Sequence, residues 1–170
     1  MSILQLGDPR LRQPSVPVKA GDPQVSAHLS DLAQALRAFR TEHGWGRAVA
    51  LPQLGIGKRI VIFDIGSGPF FALNPKIEWL SPETFEVWDD CMCMPSIAVK
   101  VLRARSLTMS FLNESLQPCE LRRVAPEISE LIQHELDHLD GILFTDRMIA
   151  DWGVVAREMR ASAQRLLPQT

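Results

Sequence analysis

The chain has 170 residues, enough for one domain with its own hydrophobic core, and we expect a single domain over residues 1–170. Hydrophobic residues make up 46% of the sequence and charged residues 22%, which excludes a disordered or low-complexity chain. The formal net charge of -2 gives no bulk electrostatic reason to expect DNA or a membrane as a partner.

The cysteine count and the N-terminus indicate a reducing compartment. Three cysteines are too few, and odd in number, for a disulfide framework. The first dozen residues hold Asp8, Arg10 and Arg12 and no long apolar run, so we expect no signal peptide. No segment approaches the roughly 20 apolar residues that a membrane span needs. The sequence therefore predicts a cytoplasmic protein.

In the first half, prolines disfavour helix before residue 18 and predict an extended, turn-rich arm. Apolar residues at helical spacing predict a helix over 24–40, ended by the Gly-containing segment that follows. Short apolar runs predict strands over 59–64 and 70–73.

In the second half, 107–112 and 120–124 are predicted to form a hairpin around a polar turn. Pro126 opens a predicted helix that ends at Asp140-Gly141. The tail from about 151 to 167, rich in Ala, Arg and Leu, is predicted as a third helix whose arginines form a solvated face. These elements predict an α+β fold: mostly antiparallel β-sheets around a central helix, with an N-terminal and a C-terminal helix.

The strongest chemical signal is the His-Glu-Leu-Asp-His run at 134–138. Residues four apart lie on one face of a helix, so His134 and His138 can bind a single metal ion. Glu135 is adjacent to the first ligand and is placed to accept a proton from water. The alternative is that both histidines merely lie on the helix surface.

A third ligand has to come from elsewhere, because a catalytic metal site usually has three protein ligands and no histidine follows His138. Cys91 and Cys93 are the best candidates, since thiolates bind such metals readily. The alternative for each is a small buried hydrophobic residue. The residue pattern alone leaves the choice between the two open.

Three separated segments resemble those of the peptide deformylases. Residues 133–141 match the family pattern Gln-His-Glu-x-Asp-His-Leu-x-Gly in full. Cys91 and Pro95 fall in register with Glu-Gly-Cys-Leu-Ser-x-Pro. Residues 46–53 match Gly-φ-Gly-φ-Ala-Ala-x-Gln at four positions, which are Gly46, Val49, Ala50 and Gln53.

This resemblance implies a deformylase fold around the metal-binding helix. It implies that Cys91, rather than Cys93, binds the metal together with His134 and His138. Family members use Fe²⁺ natively, with Zn²⁺ or Ni²⁺ able to occupy the site. The resemblance also implies that Glu135 is the general base.

Further roles follow from the resemblance. The side-chain amide of Gln53 and the backbone N–H of Met92 are implied to stabilise the oxyanion of the reaction. Gly46, Arg47 and Ala48 are implied to contact the substrate. The implied activity is hydrolytic removal of the N-formyl group from N-terminal formylmethionine of nascent polypeptides, releasing formate. The arginines of the predicted C-terminal helix make the ribosome a partner to consider.

Several positions depart from the family pattern. Asp90 stands where the family has glycine, which suggests a backbone position strained by a side chain. Arg47, Ala48 and Leu51 alter the first motif, and Ala98 stands where the family often has arginine. Two alternatives therefore stay open: a diverged enzyme acting on another N-formyl substrate, and a non-catalytic module that binds N-termini or metal. A metalloprotease is less favoured, because the thiolate ligand and the Gln133-flanked helix fit the deformylase pattern better.

Overall fold

The computed structural model describes residues 2–149 and 153–159. Two α-helices are present in these ranges, α1 (Val25–His43) and α2 (Pro126–Leu139). The eight strands are β1 (Ala48–Ala50), β2 (Ile60–Asp64), β3 (Pro69–Leu80), β4 (Thr84–Cys91), β5 (Met94–Ala104), β6 (Leu107–Leu112), β7 (Pro118–Leu121) and β8 (Val154–Ala156). Four 3₁₀ turns complete the elements, at Pro9–Arg12, Leu51–Leu54, Phe144–Arg147 and Arg157–Met159.

The strands form two antiparallel sheets. The larger has the order β1-β2-β3-β6-β7 and the smaller the order β4-β5-β8. Helix α2 contacts β1 of the larger sheet and β5 of the smaller one, so it lies between them. The predicted α+β class with a central helix is confirmed. Neither described helix is long and apolar enough to cross a membrane.

The two helices follow from their apolar periodicity. Helix α1 packs Leu32, Leu36 and Phe39 into one core cluster and ends at Gly44, whose φ of 74° allows its N–H to bond the carbonyl of Arg40. The helix predicted over 24–40 is therefore present and continues for one more turn. Helix α2 starts at its predicted proline and buries its apolar stripe against the larger sheet, through residues that include Leu131, Ile132, Leu136 and Leu139.

The β4–β5 hairpin was not predicted, although it carries the cysteine motif. Its register runs from Thr84 opposite Ala104 to Asp90 opposite Ala98, with an irregularity before Cys91. Glu86, Asp89 and Asp90 interrupt the apolar residues of β4, so the segment has no continuous apolar run. Strand β3 also extends beyond the predicted 70–73. Asn74 takes a left-handed φ of 50°, and the register with β6 shifts between Leu73 and Lys76, where the Asn74-Pro75 sequence lies.

The predicted C-terminal helix is wrong over 154–159. Val154–Ala156 pair with the edge of β5 at Ile97–Val99, and the 3₁₀ turn Arg157–Met159 follows. Two β-branched residues beside an open strand edge favour pairing over helix. The rest of that prediction, at 151, 152 and 160–167, lies outside the described residues.

Candidate metal centre and active site

Three buried donor atoms converge at the centre of the molecule. Cys91 lies at the end of β4, while His134 and His138 lie one turn apart on α2. One ligand atom from each residue lies within 4.8 Å of the other two, and Cys91 Sγ is 3.2 Å from His138 Nε2. Around a tetrahedral ion, sulfur and imidazole ligands stand about 3.5 Å apart. The donor set therefore fits one divalent metal ion.

A carboxylate behind His134 orients its ring. Asp89 Oδ1 lies 2.7 Å from His134 Nδ1, which leaves Nε2 for the metal position. Burial alone would raise the pKa of Asp89, but the charges and hydrogen bonds of His134 and Arg103 lower it to about 2. Asp89 is thus ionised at neutral pH.

The charge network continues away from the metal position. Arg103 donates to Asp89 at 2.8 Å and to Asp137 at 2.6 Å, and Arg147 donates to the other oxygen of Asp137 at 2.7 Å. Asp89 and Arg103 belong to the smaller sheet and Asp137 to α2, so these buried pairs hold the helix against that sheet. Sequence reasoning missed the roles of Asp137 and Arg147, because no sequence spacing signals an ion pair between distant elements.

Glu135 is buried beside the metal position and lines the main cavity together with His134. Burial raises the pKa of Glu135 to about 7, although the charge of His134 opposes the rise. Its Oε2 has no hydrogen-bond partner among the described residues. A carboxyl group with a pKa near neutrality can both accept and return a proton, which is what a general base that later acts as an acid requires.

Gln53 lies in the 3₁₀ turn that follows β1, with its amide held in one orientation. The backbone N–H of Ala50 donates to its Oε1 at 2.8 Å. Nε2 consequently points toward the two thiols, 3.4 Å from Cys93 Sγ and 3.8 Å from Cys91 Sγ. A hydrogen-bond donor therefore lies next to the metal position.

Cys93 and Met92 also lie near Gln53 and the cavity. The Cys93 N–H donates to Cys91 Sγ at 3.4 Å, and the Cys93 thiol accepts from Gln53 and is not a member of the converging donor set. Met92 lines the cavity, and a Cβ at Gly46 would approach its Cε at 2.5 Å. Gly46 also has a φ of 125°, and this backbone conformation favours glycine there.

The cavity has a volume of about 490 Å³, within the range of small-molecule sites. Its lining contains the three predicted substrate-contacting residues, which are Gly46, Arg47 and Ala48. It also contains four other predicted site residues, which are Gln53, Met92, His134 and Glu135. The structure thus brings the motifs from three parts of the chain to one cavity.

Two of the departures from the family pattern have charged partners. Arg47 donates to the Glu130 carboxylate at 3.0 Å and to the carbonyl of Glu127 at 3.0 Å. Asp90 accepts from Arg157 Nε at 2.8 Å. The strain expected at Asp90 is absent, because its backbone lies in β4 and not in the left-handed region.

The remaining departures are accommodated in the core. Leu51 and Ala98 are both fully buried, and Ala98 lies opposite Asp90 in the hairpin. Arg157 is the residue that sequence reasoning misplaced. It was expected on the solvated face of a C-terminal helix, whereas it lines the cavity with its guanidinium 3.7 Å from the Trp45 ring centroid.

Comparison with known proteins agrees with this geometry. A sequence-family profile described as Polypeptide deformylase matches residues 1–151. The peptide deformylase of Carboxydothermus hydrogenoformans is 31% identical over 149 residues, covering 85% of this chain and 91% of the relative. That of Desulfitobacterium hafniense is 34% identical over 148 residues, covering 85% and 92%.

Solved structures give the same result. The crystal structure of peptide deformylase from Thermotoga maritima superposes with a TM-score of 0.78 at 30% identity, covering 87% of this chain and 97% of that one. The Synechococcus elongatus enzyme, crystallised in complex with actinonin, gives a TM-score of 0.80 at 27% identity, covering 98% and 87%.

Proposed function

The chain belongs to the polypeptide deformylase family, and from that premise we propose that it removes the formyl group from the N-terminal formylmethionine of nascent polypeptides. One observation carries the proposal: His134, a member of the converging Cys/His/His donor set, lines one cavity together with Glu135 and Gln53. This arrangement supplies the groups that amide hydrolysis requires. The alternative of a non-catalytic binding module is not favoured, because the site retains Glu135, the proposed general base.

We propose Cys91, His134 and His138 as the ligands of one divalent ion. Such an ion, when bound, polarises a carbonyl oxygen and makes water more acidic. One thiolate and two imidazoles suit Fe²⁺, Zn²⁺ and Ni²⁺, and the family resemblance favours Fe²⁺. The oriented ring of His134 supports this assignment, because metal-bound histidines commonly donate their second nitrogen to a carboxylate.

Glu135 is proposed to move the proton. Its carboxylate accepts a proton from the attacking water as the new C–O bond forms at the formyl carbon. The same proton then passes to the amide nitrogen while the C–N bond breaks, which releases formate and a free amino terminus. A buried carboxylate whose pKa is raised to about 7 is matched to both steps.

Negative charge develops on the formyl oxygen during this step. We propose that Gln53 Nε2 and the backbone N–H of Met92 donate hydrogen bonds to it. The hydrogen bond from Ala50 to Gln53 Oε1 orients the amide before substrate arrives. Preorganised donors of this kind cost no reorganisation at the moment of reaction.

The edge strand β1 supports the proposed substrate position. It is the terminal strand of the larger sheet, paired with β2 on one side. Gly46, Arg47 and Ala48 line the cavity along this segment. An extended peptide can therefore add to the free edge through main-chain hydrogen bonds, which is a common mode of peptide recognition.

Formate release from a formyl-Met tripeptide amide tests the function directly, using protein prepared without oxygen and loaded with Fe²⁺ or Ni²⁺. The matched control is Glu135→Gln, which keeps the shape of the side chain but removes the base. We expect turnover in the parent chain and a loss of at least about 100-fold in the variant. No formate from a metal-loaded parent chain would refute the proposal.

The cellular setting follows from the substrate. We propose a cytoplasmic enzyme that acts on chains emerging from the ribosome, since formylated N-termini arise there. We also propose that residues 1–170 form a single domain, because both sheets pack on α2 and the family profile extends over 1–151.

A further inference from the structure

Arg157, the residue that directly follows β8, lines the catalytic cavity. Strand β8 pairs with β5 through Val154–Ala156, and this pairing carries the following residue, Arg157, to the cavity wall. His134 and Glu135 line the same cavity. A guanidinium from the C-terminal segment therefore faces the space in which the peptide is proposed to bind.

Two contacts hold Arg157 in place. Its guanidinium carbon lies 3.7 Å from the centroid of the Trp45 ring, and its Nε donates to Asp90 at 2.8 Å. The side chain is 21% exposed. Stacking on an aromatic face fixes the plane of a guanidinium and lowers the entropy lost when it binds a partner.

The stacked and Nε-bonded arrangement leaves the two terminal nitrogens of Arg157 available. Neither Nη has an acceptor among the described residues. The other two arginines of the wall differ in this respect. Arg40 uses all three nitrogens on Gly46 and Asp64, and Arg47 uses both Nη atoms on Glu127 and Glu130. Among the three arginines that line the cavity, Arg157 is thus the one whose two Nη atoms donate to no described residue.

We propose that Arg157 binds a carboxylate carried by the peptide one or two residues after the formylmethionine. This inference rests on the proposed function. A cavity of about 490 Å³ has a linear dimension of about 8 Å, and an extended chain advances about 3.3 Å per residue. A group near Arg157 therefore lies within about two residues of a formyl group near Glu135. A carboxylate matches the paired donors of a guanidinium in shape and charge.

The carboxylate can come from an acidic side chain or from the C-terminus of a short peptide. Two pairs of substrates distinguish these sources. Formyl-Met-Ala-Asp-amide is compared with formyl-Met-Ala-Asn-amide, and formyl-Met-Ala-Ala as the free acid with its amide. We expect the charged member of a pair to have a KM about fivefold to tenfold lower, with kcat little changed. A preference in the first pair assigns the side chain, and one in the second assigns the C-terminus.

The ratio of kcat/KM within each pair is then measured in Arg157→Gln, Arg157→Lys and the matched control Arg122→Gln. Arg122 is a surface arginine with 79% of its side chain exposed. We expect the ratio to fall to about one in Arg157→Gln, to be intermediate in Arg157→Lys, and to keep its parental value in Arg122→Gln. A preference that is absent in the parent chain, or that survives Arg157→Gln, overturns the proposal.

A binding measurement separates this inference from the proposed function. Calorimetry with the product peptides needs no turnover and uses the folded, metal-loaded chain; it compares Met-Ala-Asp-amide with Met-Ala-Asn-amide, and Met-Ala-Ala as the free acid with its amide. Tighter binding of the charged member of either pair that Arg157→Gln abolishes supports the carboxylate site, even where no formate is released. Equal binding within both pairs contradicts it, even in an active enzyme.

Discussion

At the scale of single residues, the orientation of the Gln53 amide is the feature on which the proposed oxyanion contact depends. Gln53→Glu keeps the shape and the hydrogen bond from Ala50, but it replaces the donor at Nε2 with an acceptor. We expect kcat for a formyl-Met peptide to fall about 100-fold to 1,000-fold with little change in KM. Gln117→Glu, in an exposed turn, is the control. A kcat within threefold of the parent value would show that Gln53 does not stabilise the transition state.

The two cysteines of the motif are predicted to differ in their roles. Cys91 Sγ belongs to the converging donor set, whereas the Cys93 thiol contacts Gln53. We expect Cys91→Ser to weaken metal binding by more than about 100-fold, beyond the 10–100-fold typical of an outer partner. Cys93→Ser should retain one equivalent of metal, measured by elemental analysis after gel filtration. Equal metal loss in both variants would contradict the assignment of Cys91 as the ligand.

At the scale of elements, one ion pair joins α1 to β2. Arg40 donates to Asp64 at 2.5 Å and, through Nε, to the carbonyl of Gly46 at the cavity wall. The hydrogen bond from Arg40 holds the pKa of Asp64 below its usual value. Because the folded-state pKa is the lower one, this stability is present above the unfolded-state pKa and is lost as pH falls through the folded one.

Asp64→Asn should therefore destabilise the chain in a pH-dependent way. We expect a loss of about 1 kcal/mol in the free energy of unfolding at pH 7, which shrinks as the pH approaches 3. Urea unfolding of parent and variant across that range measures it, with the exposed Glu114→Gln as the control. A difference that stays constant with pH would mean that Asp64 acts through packing or shape rather than through its charge.

The helices α1 and α2 were more predictable from the sequence than the strands that complete the site. Helix α2 and its two histidines follow from periodicity, a first-turn proline and i, i+4 spacing, all of which are local. The β4–β5 hairpin and β8 depend on which strand edges meet, and that is decided by tertiary pairing. Arg157 enters the cavity wall through the β5–β8 register, so its position could not be inferred from the residues around it.

At the scale of the whole molecule, the metal position lies at the junction between α2 and the smaller sheet. Cys91 belongs to β4 and the two histidines belong to the helix, so one ion would connect both. The sequence supplied all three candidate donors, but their approach to within 4.8 Å depends on packing α2 between the two sheets. Metal binding and global stability are consequently coupled, because the unfolded chain does not hold the three donors together.

This coupling predicts that metal raises the melting temperature. At a free metal concentration 1,000 times Kd, binding adds about 4 kcal/mol to the stability of the folded state. For a chain of this size that corresponds to a rise of about 8–16 °C. Scanning calorimetry of the metal-free chain with and without Ni²⁺ measures the shift. Cys91→Ala should lose most of it, whereas His43→Gln, at an exposed histidine on the last turn of α1, should keep it. An equal shift in Cys91→Ala would place the stabilising ion elsewhere, because the central site requires the thiolate.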